Sequence, residues 1–241
     1  MPFTFSHPAI VLPFLKFSKK WFSATGLIIG SMVPDFEYFI RMKVFSIYSH
    51  TLLGIFWFDI PLAVLLYIIF YQIVCTPLVY NLPYFLRSRS NALLSFDWKN
   101  YMTTYWPAVL ISMLIGTASH LLWDSFTHAH GYFVMRFSIL THSVTLFHHH
   151  FPLYKLLQHG SSLCGIIVIA LTILTIQTTT PKNSNGHLYY WIEILFLTVI
   201  IVGIRCILGL SFTAYGNMVV TVIGAFLWSL IVVSAFERKR I

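Results

Sequence analysis

Five long apolar runs constrain this chain more than any other feature of its sequence. They occupy approximately residues 50–74, 106–126, 152–176, 189–211 and 215–236. Each reaches the roughly 20 residues that an α-helix needs to cross the hydrocarbon core of a bilayer. Only 9% of the residues are charged, whereas soluble domains carry about 25%. The sequence therefore predicts an all-α fold, a polytopic membrane helical bundle of about five full spans.

Two shorter apolar segments precede these runs, at residues 7–15 and 23–33. Each has about half the length of a span, which predicts short or re-entrant N-terminal helices. The second is expected to end at Pro34, because a proline disfavours helical backbone in the residue before it. We expect a single integral membrane domain over residues 1–241. Within it, residues 1–176 form the site-bearing part and residues 189–236 a C-terminal helical hairpin.

The chain combines 11 histidines with only 7 acidic residues. His120 and Asp124 are four residues apart at the end of an apolar helix, so they lie on one helix face, and His128 is four residues further on. An imidazole and a carboxylate at this spacing can act as a pair of metal ligands. The same pair can also be a histidine and an aspartate that hydrogen-bond each other at the membrane surface, and spacing alone does not separate these readings.

The basic residues predict the orientation of the spans, because Lys and Arg are enriched in cytoplasmic loops. Alternating the spans places most of them on one side: Lys16, Lys19, Lys20, Arg87, Arg89, Lys99, Lys182, Arg238, Lys239 and Arg240. That side is expected to be the cytoplasm of a bacterial cell, with the C-terminus on it. The same alternation brings a group of His and Asp residues to the outer face: Asp35, His50, His120, Asp124, His128 and His159. His7 joins them if the first short segment starts on that face.

These residues form the predicted metal site, with His7, Asp35, His50, His120 and Asp124 as the main ligands and His128 and His159 as further candidates. Two interpretations of Glu37 carry equal weight. It either assists the site, for example as a base, or it is simply exposed. Gln158 and Ser161 either orient ligands or satisfy backbone groups at a helix end. The run His148 to His150 is expected to be a solvated patch in a loop.

The order of these residues resembles the zinc-dependent phospholipase C and single-strand nuclease group. The resemblance implies that Asp35, His50, His120 and Asp124 bind one ion and that His7 and Asp124 share in another. Those enzymes also carry a downstream His-x-x-x-Glu pair. Here His159 is followed at that offset by Leu163, so a third ion is not implied.

Longer motifs resemble a family of uncharacterised bacterial integral membrane proteins, domain of unknown function 4184. They are Met-Pro-Phe-Thr-Phe-Ser-His-Pro at the start, Gly-Ser-Met-x-Pro-Asp-Phe-Glu-Tyr, Ser-His-x-x-Trp-Asp-x-Phe-Thr-His and Gln-His-Gly-Ser-Ser. That family looks related to membrane-bound metal-dependent hydrolases, which carry Pro-Asp, His-Ser or His-Thr and Ser-His-x-x-x-Asp in the same order. The family resemblance by itself implies no reaction.

Together these features lead us to expect a metal-dependent hydrolase with zinc as its ion. It would act on a phosphoester of a lipid or lipid-linked molecule at the outer face of the cytoplasmic membrane. Residues that could hold the phosphate are Arg41, Lys43, Arg136 and Lys155. The alternative is a non-catalytic membrane protein, either a metal-binding transporter or an accessory protein. The net charge of +8 is attributed to orientation and lipid head groups and not to nucleic-acid binding.

Overall fold

The computed structural model of the protein describes residues 3–146, 148–180 and 188–239. Lys182 and Arg240, which entered the orientation argument, lie outside these residues. The N-terminal segment is a 3-10 helix (Thr4–Lys16), followed by α1 (Ala24–Arg41). A long helical stretch then consists of α2 (Leu52–Gly54), α3 (Ile60–Ile69) and α4 (Cys75–Asn81), joined by π-helical turns at Ile55–Asp59 and Phe70–Val74.

The remaining elements follow in chain order. They are α5 (Tyr84–Ser90), a 3-10 turn (Asn91–Leu93), α6 (Trp98–Thr104), α7 (Trp106–Thr127), α8 (Tyr132–Arg136), α9 (Ser138–Thr141), β1 (Ser143–Leu146), β2 (His149–Pro152), α10 (Leu153–Thr175), α11 (Leu188–Ile207) and α12 (Tyr215–Glu237). Strands β1 and β2 form an antiparallel hairpin in which Val144 pairs with Phe151. This hairpin and the short helices α8 and α9 lie between α7 and α10 in the chain.

The predicted membrane helices are present. Among the described residues, five helical segments are long and apolar enough to cross a membrane: Leu52–Asn81, Trp106–Arg136, Leu153–Thr175, Leu188–Ile207 and Tyr215–Glu237. They coincide with the five apolar runs of the sequence. The fold class is therefore confirmed: the protein is helical, with segments suited to a multi-pass membrane protein.

The chain divides into two compact units, neither of which is continuous in sequence. The first consists of Met1–Pro34, His50–Ala63 and Tyr105–Thr175, and the second of Asp35–Ser49, Val64–Thr104 and Ile176–Ile241. Helix α1 contributes its N-terminal part to the first unit and its C-terminal part to the second.

The expectation that the second short segment ends at Pro34 is wrong, because α1 continues to Arg41. Proline has no N–H to donate to the carbonyl four residues earlier, which here belongs to Gly30. The hydroxyl of Thr117 on α7 donates to that carbonyl instead, over 3.2 Å. A side chain from another helix thus replaces the missing bond, and the helix passes through the proline.

Helices α1 and α7 pack closely in the first unit because small residues line their contact. The side of α7 that meets α1 carries Ser112, Gly116 and His120 at intervals of four. Ser112 Oγ accepts a hydrogen bond of 2.8 Å from the Ser23 backbone N–H. A Cβ atom at Gly116 would lie 2.5 Å from the Leu27 carbonyl oxygen, so only glycine permits this approach. Small residues at such crossings are typical of membrane helix pairs.

The second unit includes the packed pair α11 and α12. Tyr190 and Ile194 of α11 are buried in one cluster with Val233 of α12. The hydroxyl groups of Tyr190 and Ser234 lie 2.8 Å apart, within hydrogen-bonding distance. Trp191 also donates from its indole Nε1 to the Asn81 carbonyl oxygen over 2.7 Å, which joins α11 to the end of α4.

Candidate metal centre

His120 is the most deeply buried residue of the candidate site, with no solvent exposure. Its Nδ1 lies 2.7 Å from the backbone carbonyl oxygen of Ser31 on α1. A carbonyl oxygen can only accept a hydrogen bond, so Nδ1 carries the proton and Nε2 has the free lone pair in the neutral ring. A hydrogen bond on one ring nitrogen that leaves the other available is the usual arrangement of a metal-binding histidine.

Asp124, one turn after His120, lies at the centre of a group of imidazoles. Its side chain is 13% exposed. The Oδ2 atom is 3.4 Å from His120 Nε2 and 3.6 Å from His50 Nε2. The Oδ1 atom is 3.7 Å from His7 Nε2 and 3.5 Å from His128 Nδ1. Each carboxylate oxygen therefore faces two ring nitrogens.

These separations are longer than an ordinary N–H···O hydrogen bond of about 2.7–3.2 Å. They are close to the distance between two ligands of a single ion, and only the His7 separation of 3.7 Å is slightly longer. Ligand bonds of about 2.0–2.2 Å at a tetrahedral angle place neighbouring donor atoms about 3.3–3.6 Å apart. One ligand atom from each of His50, His120 and Asp124 falls within 4.8 Å of the other two. The geometry of this donor set therefore fits a metal ion.

His50 reaches the group through an unusual backbone conformation. Its φ angle is +60°, in the left-handed region that non-glycine residues adopt at a cost of about 1–3 kcal/mol. The next residue, Thr51, caps α2, and its hydroxyl oxygen accepts a 2.9 Å hydrogen bond from the Gly54 N–H. The left-handed residue thus lies directly before the helix start. Such conformations persist when the surrounding structure requires them, and they cluster at functional sites.

His7 comes from the N-terminal 3-10 helix, and its side chain is 1% exposed. Its ring stacks on that of His120, with centroids 3.9 Å apart and planes at 20°. The start of the chain is held against α10. The Phe3 N–H donates to Ser162 Oγ over 3.1 Å, and a Cβ at Gly165 would lie 2.8 Å from the Ser6 carbonyl oxygen.

The Gln158-to-Ser162 motif, which the sequence left between two roles, anchors neighbouring segments. Ser161 Oγ accepts a 3.2 Å hydrogen bond from Trp123 Nε1 on α7, while Ser162 holds the N-terminal segment. Both hydroxyl groups also donate to the Gln158 carbonyl oxygen, over 3.2 Å and 2.8 Å. The motif therefore positions the segments that carry His7 and Asp124 and also satisfies backbone on α10.

The remaining predicted site residues are His159, Asp35 and the run His148 to His150. His159 is exposed on α10 and is not in the metal-binding groups found among the described residues, because it lies about 100° around the helix from the buried Gln158. Asp35 falls in the second unit, where it is 2% exposed, four residues after Ser31 on α1. Its role as a ligand stays a prediction. His148, His149 and His150 are exposed, as expected for a solvated patch, but the expectation of a loop is wrong for His149 and His150, which belong to β2 and pair with Leu146 and Thr145.

Glu37, in the second unit, is buried and fully occupied by hydrogen bonds. Its Oε1 accepts from Arg41 Nε at 2.8 Å and from the Ile47 N–H at 2.9 Å. Its Oε2 accepts from the Tyr48 and Ser49 N–H groups at 3.0 Å and 2.8 Å. Burial opposes the charge, but the backbone N–H groups and Arg41 outweigh it and lower the pKa of Glu37 to about 2. A carboxylate with so low a pKa is a poor base, so a structural role in the turn before His50 is favoured.

Several residues that shape the site were not identified from the sequence. Ser31 contributes only its backbone carbonyl, and Gly116 and Thr117 act through the packing of α1 on α7. The pattern Ser112-x-x-x-Gly116-x-x-x-His120-x-x-x-Asp124 was a usable signal, because small residues at intervals of four indicate a close helix contact on the face that carries the ligands.

Comparison with known families gives the chain its classification. The chain belongs to the family described as Domain of unknown function (DUF4184), which matches residues 1–235. No curated protein and no solved structure matches the chain.

Proposed function

We propose that this member of the DUF4184 family is a membrane-embedded metal-dependent hydrolase of lipid or lipid-linked phosphoesters. The observation that carries the proposal is the Asp124 carboxylate, whose two oxygens each lie 3.4–3.7 Å from two imidazole nitrogens. A hydrogen-bonded surface pair would need one histidine near the aspartate. Four histidines from three segments of the chain surround one carboxylate, which metal binding explains better than a single hydrogen-bonded pair does.

His50, His120 and Asp124 would hold one ion, and His7 with Asp124 would contribute to a second. His50 and His120 face Oδ2, and His7 faces Oδ1. His128 Nδ1 also faces Oδ1, but it lies 3.2 Å from the Asp124 backbone carbonyl oxygen, to which only a protonated nitrogen can donate, so here it acts as a hydrogen-bond donor and not as a ligand. A bridging carboxylate is a common feature of two-metal hydrolytic sites. Zinc is the expected ion because imidazole and carboxylate are its usual ligands after thiolate. When bound, such ions lower the pKa of a coordinated water and polarise a phosphoryl oxygen.

The chain's own residues would orient the substrate. Lys155 lies in the first turn of α10, and its Nζ donates to Gln158 Oε1 over 3.2 Å. Arg136 lies at the end of α8, with its guanidinium 4.3 Å from the centroid of the Tyr132 ring. Both cations follow the end of α7 in the same unit and could pair with a phosphate. Arg41 is less suited because Glu37 already binds it.

A membrane location of the substrate follows from the site's place at the end of an apolar helix. Exposed apolar side chains cover the segment after α7: Tyr132, Met135, Phe137, Ile139, Val144 and Leu146. Together with Arg136, they suit the head-group region of a bilayer. We assign the site to the outer face of the cytoplasmic membrane from the distribution of basic residues.

Metal content and turnover of the purified protein test this proposal together. We expect two zinc ions per chain in the wild type, about one in His7→Ala, and none in Asp124→Ala. His148→Ala, from the exposed patch, is the matched control and should keep the full content. The wild type and the control should release phosphate or a phosphorylated head group from lipid phosphoesters in vesicles, and chelation should abolish this release.

Two results would count against the proposal in different ways. Equal metal content in Asp124→Ala and His148→Ala would show that the site is wrong. Full metal loss in Asp124→Ala without hydrolysis of any vesicle phosphoester would instead favour a non-catalytic metal-binding protein.

A further inference from the structure

A pocket of about 420 Å³ lies beside the candidate metal centre, within the first unit. It is a partly open groove bordered by the N-terminal 3-10 helix, α7 and α10. Its wall includes His7 and Trp123, which flank the site, and then Ile10, Cys164, Gly165 and Val168. The volume falls in the range of about 300–1,000 Å³ that is typical of small-molecule sites.

The pocket follows one face of α10. Its lining residues on that helix are Ser161, Cys164, Gly165 and Val168, at positions i, i+3, i+4 and i+7, which share a face. They extend over about 10 Å at 1.5 Å per residue. Their side chains are small, so the groove between α10 and the 3-10 helix stays open where Leu or Phe would fill it.

One end of the pocket meets the metal centre and the other leads away from it. His7 marks the near end, because it lines the pocket and its ring stacks on that of His120, with centroids 3.9 Å apart. From Ser161, α10 continues to Val168, about 22 Å from its start at Leu153 at 1.5 Å per residue. The flank of α10 beside the pocket exposes Leu163, Ile166, Ile167 and Leu171, as expected for a surface in hydrocarbon.

We propose that this pocket binds one hydrocarbon chain of a membrane lipid, with the phosphoester of that lipid at the metal centre. The inference rests on the proposed function and narrows its substrate class to lipids with a chain next to the scissile phosphate. His7 is shared by both sites, since it lines the pocket and faces Asp124 Oδ1. The polar groups lie at the near end and the apolar groups along α10, which matches the polarity of a lipid.

Photo-crosslinking in nanodiscs tests the pocket independently of turnover. The probe is a phosphatidic acid with a diazirine in one acyl chain, and the labelled residues are located by mass spectrometry. Val168→Trp should fill the pocket. Ile167→Trp is the matched control, because the two side chains are 44% and 49% exposed and only Val168 lines the pocket. We expect Val168→Trp to remove most of the label at Trp123 and Cys164, and Ile167→Trp to leave it in place.

Metal content, measured on the same samples, separates the two proposals. Unchanged metal in Val168→Trp together with lost label supports the pocket. Equal labelling of Trp123 in both variants would contradict lipid binding in the pocket. Label confined to the Leu163 and Ile167 side of α10, or crosslinks to a second copy of the chain, would contradict it as well. None of these results bears on metal binding. If Asp124→Ala loses its metal but keeps the label in the pocket, lipid binding by the pocket is supported. The proposed hydrolysis is tested separately, by the hydrolysis assay alone.

Discussion

At the scale of single residues, function depends on how backbone groups hold side chains. His120 is oriented by one carbonyl oxygen, which determines the ring nitrogen that faces Asp124. At Glu37 the roles are reversed, and the side chain holds the backbone. Its carboxylate accepts hydrogen bonds from three backbone N–H groups in the turn at residues 47–49. That turn leads directly into the left-handed residue His50. In one case a backbone carbonyl orients a side chain, and in the other a side chain holds a backbone turn in place.

Glu37→Gln should destabilise the protein, because the amide NH₂ would face N–H groups that need an acceptor. Hydrogen bonds to a charged group contribute about 1.5–3 kcal/mol each, so we expect a loss of about 2 kcal/mol or more in the free energy of unfolding. Thermal unfolding in detergent, followed by tryptophan fluorescence, measures it. Asp97→Asn is the control and should change stability little, because the side chain is exposed and an asparagine oxygen can still accept the Asn100 N–H that Asp97 accepts.

The pH dependence of this difference follows from the pKa of Glu37, which is lowered from 4.5 to about 2. A lowered folded-state pKa stabilises the protein at pH values above the unfolded pKa, and this contribution is lost as the pH falls towards the folded one. The free energy of unfolding of the wild type should therefore exceed that of Glu37→Gln by a constant amount from about pH 8 to about pH 5. The difference should shrink below pH 4.5. A constant difference down to pH 2 would contradict the assigned role.

At the scale of elements, the contact between α1 and α7 positions the ligands. Gly116 lets the two backbones approach, and Thr117 satisfies the Gly30 carbonyl that Pro34 leaves without its helical donor. Both effects act one turn before His120. The candidate metal centre therefore depends on the packing of α1 against α7, through residues that are not themselves candidate ligands.

Gly116→Ala should weaken both stability and metal binding. The added Cβ would lie 2.5 Å from the Leu27 carbonyl oxygen and 2.6 Å from the Ser31 nitrogen, so α1 must move and the His120–Ser31 hydrogen bond must lengthen. Overpacking of this kind costs about 1–3 kcal/mol. Unfolding temperature and zinc content are the measurements.

Gly203→Ala in α11 is the matched control, because a Cβ there meets nothing within 4 Å. It should leave zinc unchanged and stabilise the helix by up to about 1 kcal/mol. Equal behaviour of the two alanine variants would show that the α1–α7 contact does not control the site.

At the scale of the whole molecule, the basic residues predict the orientation of the candidate spans. Arg87 and Arg89 lie after the first candidate span, and Arg238 and Lys239 follow the last. His128 lies past the end of α7, on the opposite side of the membrane in this assignment. The metal centre would then face away from the cytoplasm.

Reporter fusions test the orientation. A reporter enzyme that is active only in the cytoplasm should be active when it is fused after Arg89 or after Lys239. A reporter that is active only after export should be active when it is fused at Ser46 or His130. The physical reason is the excess of Lys and Arg on the first side. The reverse pattern would place the metal centre in the cytosol and would remove envelope lipids of the outer leaflet from the substrate class.

The sequence by itself determined the membrane helices and the core of the candidate site. Hydrocarbon leaves no partner for an unpaired backbone group, so long apolar runs must become helices, and the helical period brought His120, Asp124 and His128 to one face. Tertiary structure decided the rest. It turned His159 outward, tied Glu37 to a turn, continued α1 through Pro34 and brought His7 against His120. Each of these outcomes depends on a contact with another segment of the chain, and neither hydropathy nor local spacing contains that information.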